Sequence, residues 1–200
     1  KLIDLEHELD NIIADIVLQH PAYHWFSLVK GIGKENIGKV IAFLDINKAD
    51  HMSSFWQYAG YGVIDGKAIK LEKGKPSIYN TKLKTYCWRL GTSLLRVKGK
   101  FYDYYLQEKK KIALSNGLSN LHIHNRAFRK MIKLFLGCLW LVWRESEGLP
   151  ISMPYAIGIL GHDVTSYINP WNMTDKKTKI TKNKKCLVLK SEPRETNNPE

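Results

Sequence analysis

Apolar positions recur at threes and fours from the start of the chain. Leu2, Leu5, Leu9, Ile12, Ile13 and Ile16 form one stripe, with Asp4, Glu6, Glu8, Asp10 and Asp15 mostly off it. This spacing predicts a helix over 1–19. Such a stripe packs either on the local core or on another helix as the end of a coiled coil. Pro21 opens a short second helix carrying Tyr23, Trp25 and Phe26 and closing at Val29. A third runs from about Lys34 to Leu44, and Met52–Ala59 predicts a fourth with Phe55, Trp56 and Tyr58 toward the core. Residues 63–79 differ: Gly66, Gly74 and Pro76 interrupt them, and Lys67, Lys70, Lys73 and Lys75 populate them. We read a long basic loop there, with a short strand over 68–71. Asn80 caps a helix to about Val97 with the stripe Leu83, Cys87, Leu90 and Leu94. The next helix, Lys100–Ser115, carries Phe101, Tyr104, Tyr105 and Ile112 and ends at Asn116-Gly117. The longest covers Asn125–Glu147, and Met153–Leu160 predicts one more short turn of helix.

The expected fold is therefore mostly α: a helix-hairpin-helix-containing helical domain with a long basic loop and a disordered basic C-terminal tail. The divisions are a coiled-coil-like helix (1–20), a helix-hairpin-helix region (21–62), the basic loop (63–79), a helical domain (80–172) and the tail (173–200), which is rich in Lys, Thr, Asn and Pro. The stripe begins the chain with no methionine or cap before it. The expectation is that these 200 residues are the C-terminal part of a longer protein.

Charge sharpens the picture. The 31 Lys and Arg against 19 Asp and Glu leave +12, which points first to nucleic acid and second to an anionic membrane surface. A solvated basic surface without a partner is the plain alternative. The most apolar run, Leu134–Trp143, is too short to span a bilayer, so no membrane is expected. Cys87, Cys138 and Cys186 lie far apart with no CxxC, the pattern of a reducing compartment. A cytoplasmic, nucleoid-associated location follows as the expectation.

The charges cluster in four places. Gly31 and Gly33 bracket Ile32 in a tight hairpin, with Lys30, Lys34 and Lys39 around it. Glycines at such a turn leave N–H groups bare at the next helix's N-terminus, where a phosphate would sit without any base being read. An ordinary turn between core helices is the rival reading, and Ile37, where a compact hairpin wants a small residue, supports it. The loop lysines 67, 70, 73 and 75 form the second cluster. Lys82, Arg89 and Arg96 recur every seventh residue and share one helix side. Arg126, Arg129, Lys130 and Lys133 fall within roughly a quarter-turn of each other at about 100° per residue. In the first turns of a helix these cations would oppose the macrodipole, at a cost of about 0.3–1 kcal/mol each.

Catalytic and metal signatures are weak. His122 and His124 flank Ile123 with no further ligand beside them, and His20 and His24 have Pro21 between them. Asp45, Asp50, Asp65, Asp103, Glu145 and Glu147 form no recognisable two-metal set. There is no GxxxxGK[ST] and no GxSxG. No cofactor is assigned. Hairpin-containing DNA glycosylases are excluded, because Glu35 stands where their lysine belongs and Ser53 where their aspartate belongs.

The order of pieces carries more. Leu28-Val29-Lys30-Gly31-Ile32-Gly33 follows the first helix, then Phe55-Trp56-Gln57-Tyr58-Ala59-Gly60, the basic loop, Asn80-Thr81-Lys82-Leu83-Lys84, and a long helix ending Leu139-Trp140-Leu141-Val142-Trp143-Arg144. From about Leu2 to Arg144 this resembles the C-terminal transposase domain of insertion-sequence transposases that use a bridge RNA and carry an N-terminal Holliday-resolvase-like nuclease domain. The resemblance implies that Gly31 and Gly33 match that family's "pGIG", Tyr58 and Gly60 its "YaGL", and Asn80 and Leu83 its "gN..LR". It also implies a nucleophilic serine in the loop after "YaGL". A gapless alignment from Gly60 puts that place near Ala68, and the loop's one serine is Ser77, followed by Ile78 rather than glycine. Ser77 is thus the candidate catalytic residue, and Mg2+ enters only if a nuclease domain accompanies this chain. The segment after Arg144 has no counterpart in the family.

The function expected is that of a DNA-binding domain of a transposase- or recombinase-like protein. The alternatives are a non-enzymatic nucleic-acid-binding relative and a genome-packing protein of a mobile element. DNA is the first partner, RNA stays open, and a second copy through Leu2–Ile16 is the expected oligomer contact.

Overall fold

A computed structural model describes residues 1–114, 117–151 and 168–176. In chain order the helices are α1 (Leu2–Leu18), α2 (Tyr23–Phe26), α3 (Lys34–Ile41) and α4 (Met52–Tyr58). Two short strands follow, β1 (Val63–Ile64) and β2 (Lys67–Ala68), then α5 (Thr81–Val97), α6 (Lys100–Ala113) and α7 (Asn120–Ser146). Single 3-10 turns stand at Ile46–Lys48 and Pro170–Met173. The protein is mostly α over the described residues, as expected.

α7 is the axis of the core. Met131, Ile132, Phe135, Leu136, Leu139, Trp140 and Val142 are all buried, because α4, α5 and α6 cover the helix on several sides. A helix enclosed in this way is apolar around most of its circumference, which explains why its middle shows no amphipathic pattern. Three tryptophans tie the layers together by their indole N–H groups. Trp25 donates to the Pro170 carbonyl, Trp56 to Lys133 and Trp140 to Ala49, at 2.9, 2.8 and 2.7 Å. Arg144 is buried and closes the end of α7 by donating to the carbonyls of Pro150, Ile46 and Ala49. A buried guanidinium that lost these acceptors would be costly, so they fix the 3-10 turn against α7.

Several boundaries differ from the sequence expectation. α2 ends at Phe26, and the chain continues to Val29 in tight turns rather than helix. α7 begins at Asn120, earlier than expected, because Ser119 supplies the N-cap and accepts from the His122 N–H. Residues 63–68 form an antiparallel hairpin with Val63 opposite Ala68 and Ile64 opposite Lys67. Its turn is Asp65-Gly66, both at positive φ, a sequence that favours two-residue hairpins. The packed chain also runs past residue 172: Met173 is buried, and the Asp175 carboxylate accepts from the Lys30 and Lys100 N–H groups at 2.7 and 2.8 Å. The short helix expected over 153–160, the break at Asn116, Cys186 and the tail from 177 onward lie outside the described residues.

The stripe of α1 divides. Ile13 and the buried Val17 pack onto α3 at Gly38, where a Cβ would lie 2.5 Å from Ile13 Cγ2. Leu2, Leu5, Leu9, Ile12 and Ile16 stay exposed. Gly38, one place beyond the position where the hairpin motif wants a small residue, is what lets α1 approach α3.

Candidate nucleic-acid interface

The turn at Gly31–Gly33 is packed from behind. Gly31 has φ +86°, and a Cβ there would lie 2.9 Å from Val97 Cγ2 and 3.2 Å from the Ser93 carbonyl oxygen. Ser93 Oγ also donates to the Gly31 carbonyl at 2.8 Å. Gly31 is therefore required by the contact with α5 as well as by the turn. Of the surrounding groups, the Lys30 N–H is taken by Asp175, and Lys39 pairs with Asp10 of α1 at 3.7 Å. Gly33 and Lys34 are exposed at the start of α3, beside a cleft that also contains His7, Asp10 and Glu35. Ile32 is half-buried against the core. The turn thus presents Lys30 and Lys34 outward, with acidic neighbours from α1 and α3.

The loop lysines 67, 70, 73 and 75 are all exposed, and Lys75 pairs with Glu72 at 2.6 Å. Ser77 Oγ donates to the Tyr79 carbonyl at 2.6 Å and accepts from the Tyr79 N–H at 3.3 Å. The hydroxyl stabilises a local turn, and no general base is among its hydrogen-bond partners.

The clearest positive face is on α5. Leu83, Cys87, Leu90 and Leu94 are buried as their spacing predicts. Burial pushes the Cys87 thiol up to about 12, so it stays protonated and unreactive. The opposite side carries Lys82, Arg89 and Arg96, all exposed, and no carboxylate among the described residues lies within ion-pair distance of them. From Lys73 to Tyr102 the sequence has no Asp or Glu, while Lys73, Lys75, Lys82, Lys84, Arg89, Arg96, Lys98 and Lys100 all lie within it. Neither that run as a whole nor the exposed Trp88 on the same helix belongs to the four basic clusters that the spacing marks. The register already signalled Trp88, since position 88 falls off the buried stripe.

The cations of α7 are used differently from the expectation. With the helix starting at Asn120, Arg126 is beyond the first turn and the macrodipole penalty does not apply. Arg126 is exposed. Arg129 donates to the Gly62 carbonyl and lies over the Tyr61 ring. Lys130 bonds Glu108 at 2.6 Å, and Lys111 bonds the same carboxylate at 3.0 Å. Burial raises the Glu108 pKa, but those two hydrogen bonds and charges outweigh it and hold the carboxyl below its usual range. Lys133 sits over the Trp56 ring at 4.1 Å. Burial, then the charges of Arg129 and Lys130, push its ammonium down to about 8. Of this stripe, only Arg126 is without an intramolecular contact of this kind.

Tyr58, Gly60, Asn80 and Leu83 meet at one place. Asn80 Oδ1 caps α5 through the Leu83 N–H at 3.0 Å, and its Nδ2 donates to Tyr58 Oη at 3.1 Å. The Asn80 N–H donates to the Tyr58 carbonyl at 2.9 Å, and Gly60, at φ +74°, lies under the Tyr79 ring. His122 and His124 diverge, one to Ser119 and the other to Tyr105. Among the described residues no three His, Cys, Asp or Glu converge as metal ligands. No helix among the described residues is long and apolar enough to cross a membrane. No family model, no curated protein and no solved structure matches the chain.

Proposed function

We propose that this chain is a nucleic-acid-binding module that grips the phosphate backbone through the exposed face of α5, with the loop lysines and Arg126 alongside. The observation that carries this reading is the combination of Lys82, Arg89 and Arg96 on one exposed face with an acid-free run from Lys73 to Tyr102. Unpaired cations aligned along a helix attract a polyanion and release its counterions on binding. The Gly31–Gly33 turn adds Lys30 and Lys34 at the edge of this face, while the Lys30 N–H and the Lys39 ammonium are engaged by Asp175 and Asp10. DNA is the partner proposed first, in a cytoplasmic, nucleoid-associated setting. Two copies pair through Leu2, Leu5, Leu9, Ile12 and Ile16, whose alternating spacing of three and four is that of a coiled-coil seam.

A second reading is a recombinase domain related to the bridge-RNA transposases and acting with a nuclease domain. The meeting of Tyr58, Gly60, Asn80 and Leu83 favours it, since these are the residues carrying the motif order. Titration of labelled duplex, single strand and structured RNA, followed by a denaturing gel, separates the two. Binding without a covalent adduct supports the module. An adduct lost in Ser77→Ala establishes the recombinase. No binding to any of the three ends both.

A further inference from the structure

The six tryptophans are not treated alike. Trp25 and Trp140 are fully buried, and Trp143 is nearly so. Trp56 lies under Lys133 and donates to its carbonyl, and Trp171 has a ring contact with His24. Trp88 is 57% exposed, and among the described residues no ring contact, cation–π contact or hydrogen bond involves its indole. An indole left in water forfeits the largest apolar contribution a side chain has.

Its surroundings select an occupant. Thr85 and Thr92, three residues before it and four after, are short, so neither can cover the ring. Their hydroxyls donate to the carbonyls of Thr81 and Trp88 and are held back on the helix. Arg96, Arg89 and Lys82 are exposed on the adjoining side of α5, about 80–120° around the helix from the indole at about 100° per residue. A flat aromatic face bordered by unpaired cations fits a flat aromatic group carried on an anionic chain. In a duplex the faces of the bases are already stacked, and only their edges and phosphates are accessible. An unpaired base presents its face, and stacking on aromatic side chains is how single strands are held without sequence preference.

We propose that α5 binds single-stranded nucleic acid, with an unpaired base stacked on Trp88 and the adjoining phosphates on Arg89, Arg96 and Lys82. This rests on the nucleic-acid reading above and names its partner. The shared chemistry is an unpaired base on a phosphate chain, from either DNA or RNA.

The test is a set of fluorescence-anisotropy titrations of the whole chain with oligothymidylate, oligouridylate and a duplex of the same length. Trp88→Ala, Trp88→Phe and the triple variant Lys82→Ala/Arg89→Ala/Arg96→Ala are compared, with sedimentation alongside. Trp88→Ala is expected to weaken single-strand binding about tenfold or more while leaving duplex binding unchanged, and Trp88→Phe to keep most of the affinity. The stronger of the two single-strand responses identifies DNA or RNA as the source. If Trp88→Ala binds single strands like the parent, or weakens both forms equally, the stacking proposal is overturned while the backbone reading stands. If Trp88→Ala instead changes the sedimentation of the free protein, the indole covers another copy and the proposal also fails. If the triple variant binds undiminished, it is the backbone reading that fails.

Discussion

Gly31 and Gly33 stand two residues apart and do different jobs. Gly31 is in the left-handed region with α5 close behind it, whereas Gly33 has φ −79° and only Asn36 Nδ2 at 3.9 Å from an added Cβ. Gly31→Ala should destabilise the fold by about 1–3 kcal/mol in urea titration. Gly33→Ser should be accepted without loss, since it adds an N-cap oxygen where α3 has none. A second prediction concerns His20. Its ring packs on Trp143 at 4.3 Å, its Nδ1 accepts from the Ala22 N–H, and burial lowers its pKa to about 4. The unfolded chain takes up a proton near 6.5 and the folded chain only near 4, so stability falls as pH drops through that window. His20→Asn keeps an acceptor for Ala22 and should flatten this part of the pH profile, read from denaturation midpoints between pH 7 and pH 4.5.

Among the elements, α5 was the most readable in sequence. Its cap at Asn80, its stripe and its basic side follow from spacing alone, because all three are local to one helix. The α7 cations were not readable, because their partners are distant: Glu108 lies 22 residues from Lys130, Gly62 lies 67 from Arg129, and the Trp56 that holds Lys133 lies 77 away. The fate of the α1 stripe was also hidden, since it depends on Gly38 choosing the Ile13–Val17 edge as the packed one. That leaves the α1 seam open to a second copy. Leu9→Lys with Ile12→Lys should abolish self-association in sedimentation while changing stability by less than about 0.5 kcal/mol, because both positions are exposed. Monomeric parent protein would remove the seam from the account.

In the whole molecule the +12 is distributed unevenly. α1 carries Asp4, Glu6, Glu8, Asp10 and Asp15, and the acid-free run supplies the loop and α5. The hydrophobic pattern predicted a mostly helical fold, which the described residues have; that α7 is its axis comes from the tertiary packing. The composition pointed to a polyanion, but not to the side on which it would bind. The tertiary structure narrows the choice: Lys130, Lys39 and Lys75 are paired and Arg129 and Lys133 are packed, whereas Lys82, Arg89 and Arg96 line one exposed side of α5, with Arg126 and the loop's Lys67, Lys70 and Lys73 also unengaged among the described residues. The most direct test is the salt dependence of single-strand binding by the parent chain and by Lys82→Ala/Arg89→Ala/Arg96→Ala. Three lost phosphate contacts should reduce the log–log slope by about 2, with weaker affinity at every salt concentration. An unchanged slope would contradict the assignment of this face to the nucleic-acid backbone.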